Sequence, residues 1–134
     1  MVDVFTRQAL AVDAGLRLKG EHVVETLNRL VRWDGPPKVV FVDNGSEFIS
    51  KVMDKWAYER GVELDFSRPG KPTDNAYIES FNGKFRAECL NQHWFRTLDE
   101  ARYEIELWRE HYNNVRPHSS LNYMSPVEYA KQAA

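Results

Sequence analysis

The chain has 134 residues, 43% of them hydrophobic, which suits a single domain, residues 1–134, with a sizeable core. Charged residues make up 28%, and 18 Lys and Arg against 20 Asp and Glu give a formal net charge of -2, a balance that excludes both a disordered chain and a strongly basic nucleic-acid-binding domain. Any contact with nucleic acid must therefore come from a local patch.

In chain order, "MVDVFTRQALAVD" (1–13) reads as two short strands joined in an antiparallel hairpin around Thr6-Arg7. From Glu21 to Trp33, Val23, Val24, Leu27, Leu30 and Val31 fall at helical spacing, and Asp34-Gly35-Pro36-Pro37 ends the helix. Lys38 to Val42 has no polar alternation, the pattern of a central strand covered on both faces. After Asp43-Asn44-Gly45, Ser46 caps a helix that turns Phe48, Ile49, Val52, Met53 and Trp56 inward, and Gly61 closes it. "GVELDF" (61–66) alternates cleanly and completes a strand–helix–strand unit with a parallel pair.

"SRPGKPTDN" (67–75) must be a loop. The next helix starts near Asp74 or Asn75, with Ile78, Phe81, Phe85 and Cys89 on one stripe and Glu79, Asn82 and Arg86 on another. Thr97 and Glu100 form a capping box before a long helix with Leu98, Ala101, Ile105, Trp108 and Tyr112 on its apolar face. "RPH" (116–118) breaks that helix, and Ser125-Pro126-Val127-Glu128 opens a final one, so a helical tail runs from about residue 97. Cys89 has no internal disulfide partner and reads as core packing. No apolar run approaches the roughly 18 residues of a membrane span and no signal-peptide pattern is present, so a cytoplasmic setting and no membrane partner are expected.

Asp43 stands where a very apolar strand ends. On local grounds it is a turn residue, Glu79 a solvated helix residue, and Lys84 and Arg86 an exposed charged face. The competing reading is metal chemistry, since ligands collect at the carboxyl ends of strands in open α/β sheets. His22, His93 and His111 show no ligand spacing, and Tyr77 and Trp94 are candidates for base stacking as well as for core or rim.

The 35 residues between Asp43 and Glu79, with "VDNGSEF" around the Asp and "NAYIESFNGKFR" around the Glu, resemble the DDE transposases and retroviral-type integrases. The tail "HYNNVRPHSSLNYMSPVEYA" resembles the C-terminal signature of OrfB-type insertion-sequence transposases, so the resemblance covers essentially the whole chain. It implies a ribonuclease-H-like α/β fold, a mixed sheet with helices on both faces. It also implies DNA transposition, in which 3' ends of transposon DNA are cut and joined to target DNA with two divalent cations, Mg²⁺ or Mn²⁺. Hard cations of this kind prefer carboxylate oxygens.

By this resemblance Asp43 and Glu79 are the catalytic metal ligands. Asn44, with Gly45, lets the backbone turn close to the site, and Asn82 and Arg86 face the DNA. Arg68, Lys71 and Lys84 join Asn44, Asn82 and Arg86 as DNA-binding candidates, with plain solvation the alternative for Arg68, Lys71, Lys84 and Arg86. Arg116 and His118 read as structural anchors of the tail.

The family's first carboxylate sits on an opening strand upstream of the one that "MVDVFTRQALAV" resembles, so the chain is expected to lack that central strand and to hold an incomplete two-metal site. Asp3 reads as a strand-surface carboxylate rather than a replacement. Sheet edges left open would favour a homo-oligomer. An alternative is a non-catalytic fragment that self-associates or binds DNA, and a weaker one is another ribonuclease-H-like nuclease.

Overall fold

The structure is a computed structural model that describes residues 1–16, 18–42, 47–66 and 76–133, with the backbone alone for 47–50, 66, 76 and 77. The chain forms two compact units, residues 17–76 and residues 1–16 with 77–134.

The first of these units contains helix α1 (Gly20–Asp34), strand β1 (Val39–Val42), helix α2 (Glu47–Arg60) and strand β2 (Glu63–Phe66). β1 and β2 pair in parallel, with Val39 opposite Glu63 and Val42 opposite Phe66. A parallel pair needs a crossover, and α2 supplies it. Met53, Trp56 and Ala57 of α2, Leu27 of α1 and Val62 are buried, so the expected inward stripes form where they are described. α1 packs against α2, and the Trp56 indole donates to the Asn28 side chain at 2.8 Å. Gly35 and Gly61 end the two helices with φ of 78° and 68°, a region open to glycine at little cost.

β1 departs from the expectation of a strand covered on both faces. Among the described residues its only sheet partner is β2, and Phe41 is 57% exposed. Four apolar residues in a row carry no period from which a face could be read, so the run cannot distinguish a covered strand from one with an open side.

The second unit contains helices α3 (Ala76–Glu88, from residue 77), α4 (Leu98–Asn114) and α5 (Pro126–Ala133). Phe81 meets Tyr112 and Trp108 edge-on at centroid distances of 5.3 and 5.5 Å, and Phe85 meets Trp108 at 5.1 Å. Ala9, Phe81 and Tyr112 form one buried group and Cys89, Ala101 and Ile105 another, joined through Val12, Phe85 and Trp108. Burial pushes the Cys89 thiol pKa up, in keeping with core packing. Ile78, expected on this apolar stripe, is 37% exposed and stands outside the buried group around Phe81.

The predicted hairpin is also different. A single antiparallel bridge joins Val2 to Ala9, and residues 4–6 form a turn in place of paired strands. Asp3 organises it, its Oδ1 accepting from the N–H groups of Phe5 at 2.9 Å and Thr6 at 2.8 Å. Side-chain capping of this kind offers the backbone an alternative to ladder pairing. Arg7 adopts φ of 65° beyond the turn, and its guanidinium donates to the Val4 carbonyl. The Ala9 backbone docks instead on α4. Asn113 Oδ1 accepts from the Ala9 N–H at 2.7 Å, and Asn113 Nδ2 donates to the Ala9 carbonyl at 2.9 Å.

Thr97 caps α4 by accepting from the Glu100 N–H at 3.1 Å, and Ser125 caps α5 by accepting from the Glu128 N–H at 3.3 Å. Between them, His118 and Met124 pair across a one-turn 3₁₀ segment at Ser119–Leu121, with Asn122 and Tyr123 at positive φ.

Candidate functional site

α3 positions the acidic residue singled out by sequence. Its apolar stripe, Phe81, Phe85 and Cys89, turns toward α4, which leaves Glu79, Asn82 and Arg86 exposed together on a separate stripe. At 3.6 residues per turn, Asn82 and Arg86 lie within roughly 60° of Glu79 around the helix axis. A carboxylate, an amide and a guanidinium thus share one solvent face, a set that can hold a hard cation and position a phosphate.

Lys84 does not share that face. It lies about 140° around the helix from Glu79, beyond the apolar stripe and one turn before Glu88. There it is half-buried, and burial together with the nearby Arg116 charge lowers its pKa. Glu88 accepts from Arg116 Nε at 3.0 Å and from Arg116 Nη2 at 2.7 Å. Arg116 also lies 6.0 Å from the centroid of the Tyr112 ring. His118 is 4% exposed and packs edge-on against Tyr112 at 4.6 Å. Burial, followed by the charges of Lys84 and Arg116, lowers its pKa from 6.5 to about 4.

Asp43, Asn44, Arg68 and Lys71 lie outside the described residues. β1 ends at Val42, the residue before Asp43. Among the described residues no three of His, Cys, Asp and Glu converge. His93 faces Glu104 at 3.7 Å and stacks on Phe95, while Trp94 is 95% exposed and so takes no part in the core. Sequence spacing gave no sign of the Arg116–Glu88 pair or of the Asn113–Ala9 pair, since both join residues distant in the chain.

Residues 1–72 match an integrase core domain family, and residues 60–126 match a second one of the same description. The chain is 52% identical to a 31.7 kDa protein of insertion element IS407 from Burkholderia multivorans, over 97% of this chain and 47% of that one. It is 48% identical to a 39.2 kDa protein of insertion element IS476 from Xanthomonas euvesicatoria, over 97% of this chain and 38% of the other. A transposase for insertion sequence IS904 from Lactococcus lactis is 32% identical, over 97% and 53% respectively. The chain thus spans about half or less of the length of these relatives.

Among solved structures, a chain of the simian T-cell lymphotropic virus intasome, in complex with a PP2A regulatory subunit, superposes with a TM-score of 0.67 at 16% identity. That match covers 96% of this chain and 45% of the viral one, and it shows the fold to be the ribonuclease-H-like α/β type expected from the sequence. No described helix is long and apolar enough to cross a membrane. Matches along nearly its whole length place the chain in the integrase core domain family, in the branch of insertion-sequence transposases.

Proposed function

We propose that the chain is the catalytic core of a DNA transposase, residues 1–134 working as one integrase core that cuts 3' ends of transposon DNA and joins them to target DNA. The observation that carries this reading is the exposed stripe of Glu79, Asn82 and Arg86 on α3, in a chain of the integrase core family.

Asp43 and Glu79 are the proposed ligands of Mg²⁺ or Mn²⁺. Glu79 fits the part, because it offers a solvent-facing carboxylate, the oxygen donor that hard divalent cations take. Bound cations would supply Lewis-acid stabilisation of the attacking and leaving oxygens. The chain's own residues orient the DNA: Arg86 and Asn82 contact phosphate and sugar beside Glu79, and Asn44, Arg68 and Lys71 are the further DNA contacts. Contacts of this kind fix register on the duplex and carry no sequence information. The proposed setting is the bacterial cytoplasm, and the assembly a homo-oligomer on paired DNA ends.

The test is a joining assay with labelled duplexes taken from the DNA flanking the coding sequence, a plasmid target and Mg²⁺, using the protein at the full length of its relatives. Joined product from the unsubstituted protein, lost with Glu79→Gln and with Asp43→Asn, is expected. Joining that survives both substitutions refutes the assignment.

A further inference from the structure

The far flank of α3 holds a second group of polar side chains that the Glu79 face does not use. Lys84 and Glu88 stand one turn apart there, and Glu88 holds Arg116 through two hydrogen bonds. His118 follows two residues later, buried against Tyr112. The His118 ring donates one hydrogen bond to the Tyr112 backbone carbonyl, and its buried Nε2 has no hydrogen-bond partner among the described residues. A buried ring nitrogen left this way is uncommon and costs stability unless something else accounts for it.

The charges around that nitrogen are unequal. Lys84 and Arg116 act on it as cations against the single carboxylate of Glu88. A local surplus of positive charge, in a chain whose net charge is -2, marks a place built for an anion. Among the described residues Lys84 forms no ion pair.

We propose that Lys84, Arg116 and His118 form a binding site for one phosphate group, and that this phosphate belongs to a DNA backbone crossing the flank of α3 opposite Glu79. The assignment to DNA rests on the transposase reading, in which two duplexes must be held at once. Lys84 and Arg116 are the direct donors to the phosphate. His118 lies buried behind them, neutral near pH 7, and the arriving negative charge favours a proton at its Nε2, so the ring answers the anion through charge rather than by direct contact. Glu88 competes with the phosphate for Arg116.

The competition gives a test whose sign a structural role would not reproduce. The affinity of a random-sequence duplex is measured by fluorescence anisotropy between 50 and 200 mM salt, for the unsubstituted chain, Lys84→Gln and Glu88→Gln. Lys84→Gln is expected to weaken binding about fivefold and to lower the slope of log K against log salt by about 0.9. Glu88→Gln is expected to tighten binding, although it removes an ion pair from the fold. In parallel, the His118 ring signals are followed by NMR against pH with and without inorganic phosphate, which is expected to move the midpoint upward.

Tighter binding by Glu88→Gln and weaker binding by Lys84→Gln support the site. Duplex binding that neither substitution changes overturns it and leaves the transposase reading standing. A phosphate-shifted His118 midpoint with unchanged duplex binding overturns the assignment to DNA. Absence of duplex binding at every salt concentration overturns the site and the transposase reading together.

Discussion

Arg116 reaches back 28 residues along the chain to hold Glu88 with two hydrogen bonds, at 3.0 and 2.7 Å. The guanidinium fork matches both carboxylate oxygens, so the "RPH" segment is tied to the last turn of the helix that carries Glu79. Both side chains are about one-third exposed or less, and solvent screens the pair only in part.

Removing that fork should cost stability. Arg116→Met leaves Glu88 half-buried without its partner, and a loss of about 1–2 kcal/mol is expected in urea unfolding. Arg116→Lys recovers only part of it, since a lysine is a point charge that cannot reproduce two parallel hydrogen bonds. Equal stability of both variants and the unsubstituted chain would contradict the account.

His118 should make the protein sensitive to mild acid. Its folded pKa of about 4 lies below the ordinary value of 6.5, so below pH 6.5 the unfolded chain takes up a proton that the folded chain refuses. The stability it contributes is fully present above pH 6.5 and is lost as pH falls toward 4, by at most about 3 kcal/mol. Urea midpoints measured from pH 7 to pH 4 should fall less steeply for His118→Gln than for the unsubstituted chain. Parallel curves would mean that another group governs the acid limb.

Asn113 presents its amide to both backbone groups of Ala9, which is fully buried. Asn113→Ala strands the Ala9 N–H, while Arg109 Nη1, at 3.0 Å, still serves the carbonyl. One buried donor left unpaired costs about 1–3 kcal/mol, and the loss should appear in the urea midpoint. Asn113→Asp keeps the acceptor for the N–H but sets a carboxylate against the carbonyl, so it should also destabilise.

What the sequence disclosed follows from how far each signal reaches along the chain. Helix stripes such as Met53–Trp56 and Phe81–Phe85 repeat within a turn or two, and the structure carries them where the periodicity puts them. The caps at Thr97 and Ser125 are equally local. The Val2–Ala9 segment was less legible, because Asp3 closes a turn and Asn113, more than a hundred residues on, supplies the pairing that a second strand would have given.

At the candidate site, the stripe of Glu79, Asn82 and Arg86 was readable from helical period alone. The separation of Lys84 from Arg86 was equally readable, yet a shared positive charge had grouped them as one face. Arg116 and His118 could be read as anchors of the tail, but their partner Glu88 could not, since no rule of spacing joins residues on different helices.

The most direct test of the central claim is calorimetric titration of Mn²⁺ into the unsubstituted chain and into Asp43→Asn, Glu79→Gln and Asp3→Asn. Glu79 is exposed and Asp3 already serves two backbone N–H groups, so Glu79→Gln should alter metal binding without altering stability, and Asp3→Asn should leave the binding heat in place. The account predicts a binding heat that vanishes with Asp43→Asn and with Glu79→Gln. A heat that persists through both substitutions would contradict it.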